Sequence, residues 1–349
     1  MMLKHEQFAP LRSNLLIALL VTALFAGLPL IGLSNFTISQ ITLFFIWACV
    51  VVQWNLVFGV AGIMTLGHAA VFAFGAYTTA IIATHTPIPF VLAFLLSAPA
   101  GMLLSIALGL ITMRMRGEYV AIVTMAVAIL LYTVVVNDVD CFKVVDMICY
   151  NFTGGTRGLA GYGDFRWVKI LGFKYRALGD YYVALATLSA GLVLAILIIC
   201  GPFGLAFKAI RDNETYARSR GVDYRKFQLI VFGIAGVVTG LAGGVYSGFI
   251  KTVGPTTLDT DLLVFLLSMM IVGGRGSTWG PILGTAALML ADNIFQAYGA
   301  WRTGGLAVIT ILFIVVYPRG LAGALYTVYC WLTRLLGIRH GSVEQRVAR

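Results

Sequence analysis

Long apolar runs broken by short polar stretches occupy almost the whole chain. Ten stand out, at 14–33, 37–59, 62–83, 88–113, 118–136, 181–200, 228–250, 262–274, 280–297 and 304–317. Apolar residues follow one another in them without alternating, which argues against lipid-facing barrel strands and predicts helices. Most approach the ~20 residues that a helix needs to cross a bilayer. Inside hydrocarbon only helices and closed barrels satisfy every backbone polar group. The pattern predicts an all-α integral membrane protein, a polytopic bundle of about ten transmembrane helices in one domain over 1–349. The tail, 320–349, has only about thirteen apolar residues before Arg334, too few to span, and reads as an interfacial helix.

Composition agrees. The chain is 60% hydrophobic and 11% charged, where soluble domains carry about 25% charged residues. The first run follows Lys4 and Arg12, as in a signal peptide, but its length and the lack of an A-x-A site predict an uncleaved span. With the N-terminus placed inside and the sides alternating, sixteen of the 24 basic residues fall on the inner face and eight on the outer, six of those in the long loop 137–180. The +10 net charge is thus one-sided, as the positive-inside rule expects. Basic loops beside anionic lipid account for it without nucleic acid. Both termini are expected in the cytoplasm. Five spans on either side of the long loop would make an inverted five-plus-five repeat, although the halves show no residue-by-residue match.

One stretch departs from the oily pattern: FKAIRDNETYARSRGVDYRKFQ, 207–228, within a connection over 201–227. Asp212, Asn213 and Glu214 supply a helix cap and negative charge for a helix start. Glu214 and Arg218 form an i, i+4 pair, Arg220 suits the C-terminal end, and Gly221 can take the left-handed conformation that closes a helix. Ala217 and Gly221 leave a face without bulk. A solvated loop that merely fixes topology needs none of this, so a short cytoplasmic docking helix is expected.

This block, continued as AIRDNETYARSRGVDYRKFQLIVFGIAGVVTGLAGGVY, resembles the coupling loop and following helix of branched-chain amino-acid ABC importer permeases (the LivM-like family). NLVFGVAGIMTLGHAAVFAFGAY, RGEYVAIVTMAVAILL, FTGGTRGL, IVGGRGSTWGPILGTAAL and YPRGLAG extend the resemblance in family order from about 40 to 323. It implies a permease subunit in a bacterial inner membrane, with two separate ABC ATPase subunits, a second and paralogous permease, and a periplasmic solute-binding protein. It also implies that Ala209, Arg211, Asp212, Asn213, Glu214, Ala217, Arg218, Gly221 and Val222 couple to the ATPase. The chain has no G-x-x-x-x-G-K-[ST], so it cannot cradle ATP phosphates itself, and no cofactor and no enzyme activity are expected. Branched-chain amino acids are the implied solutes. Urea or short amides are the alternative within the class, and a proton-coupled secondary carrier is the alternative outside it.

Intramembrane polar residues are rare enough to default to function. Asn55, Thr65, His68 and Thr124 are therefore candidates for the substrate path, with His68 equally readable as a satisfied interior histidine. A metal role is not supported, since the other histidines, His5, His85 and His340, are scattered. Asp292 and Asn293 lie in the ninth run. With no basic residue in a neighbouring span, Asp292 is expected to face the translocation cavity or its outer mouth. TGGTRGL lacks the lysine of a phosphate loop and reads as a tight turn or a binding-protein contact. The five cysteines show no C-x-x-C. Cys141 and Cys149 share the outer loop and either pair or stand free.

Overall fold

The computed structural model describes residues 11–115, 117–145, 148–165, 167, 176–296, 299, 301–317 and 320–324. Its helices are α1 (Leu11–Gly27), α2 (Asn35–Asn55), α3 (His68–His85), α4 (Phe90–Thr112), α5 (Glu118–Val136), α6 (Arg176–Cys200), α7 (Pro202–Asp212), α8 (Glu214–Ser219), α9 (Tyr224–Ile250), α10 (Thr260–Gly273), α11 (Gly280–Phe295) and α12 (Trp301–Val316). Among the described residues, seven helical segments are long and apolar enough to cross a membrane, and shorter apolar helices cover Gly280–Phe295 and Gly304–Phe313. The protein is an all-α polytopic membrane protein. The N-terminal ten residues and nearly all of the tail lie outside the described residues, and with them the expected interfacial helix.

Local chemistry sets the boundaries. Ser34 caps α2, its hydroxyl accepting from the Thr37 N–H at 3.2 Å, and Asp223 caps α9 by accepting from Arg225 N–H at 3.1 Å. The third run does not begin at 62 as expected. The second helix instead widens into a π turn, Leu56–Val60, and a loop over 61–67 precedes α3. Gly62 at φ +75° takes the chain out of helical geometry there.

Helix α9 is the centre of the bundle and packs on α4, α3 and α2. Lipid offers no hydrophobic drive for helix association, so close van der Waals packing and interhelical hydrogen bonds must hold the spans together. Here backbone meets backbone: a Cβ on Gly240 would lie 2.3 Å from the Ser97 carbonyl, and one on Gly243 2.1 Å from that of Phe72. Ser105 of α4 donates to the Phe232 carbonyl of α9 at 2.6 Å, and Gln228 of α9 donates to Thr112 of α4 at 3.1 Å. Trp54, Phe45, Phe72 and Tyr181 fill the interior, while Leu20, Leu24 and Val315 point outward. Helices α10 and α11 form a hairpin in equally close contact.

At one end of the bundle lie α7, α8, the close of α2 and the turn 274–279. The other end holds two small antiparallel pairs: β1 (Lys143–Val145) with β2 (Ile148–Tyr150), and β3 (Leu159–Ala160) with β4 (Thr252–Val253). Between them Asp138 holds Thr153 through its N–H and hydroxyl, each at 2.5 Å. TGGTRGL is a tight turn, with Gly154, Gly155 and Gly158 all at positive φ. Asp164 pairs with Lys251, tying the loop to the end of α9. Cys141 is disulfide-bonded, next to a hairpin whose second strand carries Cys149; Cys49 and Cys200 are free.

Candidate functional site

The charged connection folds into two helices meeting at a kink. Pro202 opens α7 at its first turn, where its missing N–H costs nothing. Gly204, Phe207 and Ile210 bury one face of α7, and Ala209 and Asp212 face out. Asn213 is extended, at φ −159° and ψ 102°, and ends α7 while starting α8. Its side-chain oxygen accepts from the Tyr216 N–H at 3.0 Å. The close of α8 is a Schellman arrangement. Gly221, at φ +85°, donates to the Arg218 carbonyl at 3.0 Å, and the Val222 N–H reaches the Ala217 carbonyl at 3.1 Å.

The capped helix expected from the sequence is therefore present, with Asn213 rather than Asp212 as the cap. One expectation is corrected. Ala217 is only 2% exposed and turns into the protein, so it does not offer the open small-residue face expected of it; a Cβ on Gly221 would meet nothing within 4 Å. The outward surface is Tyr216, Arg218, Arg220 and Gly221. Arg220 donates to the Tyr216 hydroxyl at 3.0 Å and lies over its ring, and Arg218 lies over Tyr224. A shallow depression of about 460 Å³ runs along Arg218, Gly221, Val222, Asp223, Tyr224 and Arg225.

Asn55, Thr65, His68 and Thr124 come together, all at most 1% exposed, around the break between α2 and α3. Trp54 stacks on His68 and donates to the Thr65 carbonyl at 2.8 Å. Thr124 accepts from the Leu66 N–H at 2.9 Å. Asn55 reaches further, accepting from Gly276 N–H at 2.7 Å and donating to the Ser277 carbonyl at 2.9 Å. The hydrogen bonds of Asn55, Thr65 and Thr124 tie the broken helix to its surroundings, whereas both ring nitrogens of His68 are buried without a hydrogen-bond partner among the described residues. Arg211, expected on the docking surface, donates from Nη1 to the Gly59 carbonyl at 2.9 Å and pairs with Asp212 at 3.5 Å. The contact missed by sequence reasoning is this one between the connection and the π turn.

Asp292 has a partner that the sequence did not reveal. Arg302 of α12 grips both its oxygens, at 2.6 and 2.7 Å. No basic residue stands inside a neighbouring span, and the partner lies instead at the start of the following helix. Asn293 is exposed beside it. Among the described residues no cluster of three or more His, Cys, Asp or Glu is placed to hold a metal ion.

Many apolar helices about a glycine-packed centre, with a capped polar helix standing at one end, define a multi-pass membrane transport subunit. The profile described as "Branched-chain amino acid transport system / permease component" matches residues 36–317, and the chain belongs to that family. It is 28% identical to the high-affinity branched-chain amino acid transport system permease protein LivM of Escherichia coli (strain K12), over 88% of this chain and 74% of that protein. It is 28% identical to the Salmonella typhimurium LivM, over 76% of this chain and 65% of that one. A probable branched-chain amino acid transport permease protein LivH of Methanocaldococcus jannaschii is 26% identical over 44% of this chain and 50% of its own. No solved structure matches significantly. The protein is a permease subunit of an ABC importer in the inner membrane.

Proposed function

We propose that the chain forms, in one domain of ten passes, part of the translocation path for branched-chain or related hydrophobic amino acids. The α7–α8 end faces the cytoplasm and the end bearing β1–β4 faces the periplasm. The one-sided basic charge supports this orientation. Five passes lie on either side of the long outer loop, so the halves run in opposite directions. The relatives' names support the solute class.

Two ATPase subunits supply the energy, a paralogous permease completes the path, and a periplasmic binding protein delivers the solute. One observation carries this reading: α8 is a six-residue helix, capped at both ends, seated on α7 and presenting Tyr216, Arg218, Arg220 and Gly221 outward. So short a helix is not stable alone; caps and seating give it a fixed shape for another protein to grip. ATPase closure then pushes a rigid element of a bistable bundle. The carrier alternative rested on Asp292 as its proton relay, and Asp292 is held by Arg302.

The test is co-expression with the ATPase, binding-protein and second-permease subunits proposed for it. The complex is expected to co-purify and to take up leucine in proteoliposomes only with ATP inside. Reversing the charge of Arg218 and Arg220 together should release the ATPases. Uptake by the isolated chain under a proton gradient would overturn the proposal.

A further inference from the structure

Three segments far apart in sequence meet under the α7–α8 kink: the π turn closing α2, the last turn of α7, and the turn between α10 and α11. Asn55 joins the first to the third through two hydrogen bonds to consecutive residues, Gly276 and Ser277. Arg211 joins the second to the first through the Gly59 carbonyl, and its side-chain stem lies against Gly62. The first and third are in direct backbone contact, and α7 reaches both through the Arg211 side chain. A Cβ on Gly59 would stand 2.1 Å from the Asn55 amide oxygen and 2.4 Å from the Gly276 nitrogen. The third turn is braced within itself, the Ser277 hydroxyl accepting from Gly280 N–H at 3.0 Å and donating to the Gly274 carbonyl at 2.9 Å.

We infer that Asn55 and Arg211 are positioning residues for transport, a clasp that makes the α2 and α10–α11 turns follow α7. This rests on the proposed coupling role of α7 and α8. Such a chain of contacts has the two properties that transmission needs. It is short, since one arginine spans from the pushed helix to the π turn. It is also directional, since the amide of Asn55 both donates and accepts and cannot slide along the turn without losing both bonds. A side chain that lines a solute path keeps part of its hydrogen-bonding capacity for the solute. Here one amide hydrogen and the amide oxygen of Asn55 are committed to the 276–277 backbone, which favours the clasp.

The experiment measures solute taken up per ATP hydrolysed by the reconstituted importer. Asn55→Ala and Arg211→Gln are each expected to lower this ratio about tenfold, within the usual range of coupling between sites. Because both act in one clasp, the double variant should fall no further than either single one. Arg211→Lys, which keeps a charged donor of longer reach than glutamine, should recover part of the ratio. Uptake and hydrolysis falling in proportion, with the ratio unchanged, would overturn the clasp, as would multiplying losses in the double variant. If Asn55→Ala fails to assemble, Asn55→Asp, of the same shape but without the donor to Ser277, takes its place. Failure of that variant to assemble assigns Asn55 to folding and also overturns the inference. Failure of the unsubstituted chain to bind the ATPases is a separate result, and it strikes the proposed function instead.

Discussion

Gly221 sits at φ +85° and closes α8. A β-branched residue there costs about 1–2 kcal/mol through the clash of its Cβ with the carbonyl, whereas asparagine tolerates that conformation. Gly221→Val should therefore insert normally but lose ATPase in a pull-down, while Gly221→Asn should keep it. Normal ATPase recovery with valine would show that the shape of α8 is irrelevant to docking. Gly221 and Asn213 were legible in the sequence because caps depend on nearest neighbours. The inward turn of Ala217 was not, because it depends on how α8 sits against the rest of the protein. Asn55 was legible as an unusual residue in an apolar run, yet its partners stand more than two hundred positions away, and no local pattern carries that information.

Most of the helices could be read from hydropathy to within a few residues of their ends, since a lipid-facing helix must be apolar along its length. Departures came where backbone hydrogen bonds are made by something other than a continuous helix. The π turn after Asn55 and the two-strand pairs at the far end are too short to show any period. Asp292 and Arg302 belong to this scale, since they link α11 to α12 across a turn. Both are partly exposed, at 18% and 46% of the side chain, so neutralising either should cost only about 1 kcal/mol. A thermal melt in detergent should show that loss for Asp292→Asn and for Arg302→Gln, and recovery in the swapped pair Asp292→Arg with Arg302→Asp. A swapped pair no better than the single variants would mean that the contact contributes no stability.

Across the whole molecule, orientation is the property most open to a direct check. A cysteine at Val139, 78% exposed in the long loop, should react with a membrane-impermeant maleimide added to intact cells. One at Arg218 should react only after the membrane is opened, and labelling of Arg218→Cys from outside would invert the proposed topology. The glycine contacts of α9 can be tested by heat. Gly240→Leu or Gly243→Leu forces side-chain atoms into the carbonyls of α4 and α3, and overpacking of this kind costs about 1–3 kcal/mol or more, read as a lower melting temperature of the purified protein. Those contacts also have a mechanical meaning. Where main chains touch directly, no rotamers remain to absorb a displacement, so α3, α4 and α9 must travel as one plate. Any bending during a transport cycle is then left to the boundaries between that plate and the helices it does not include.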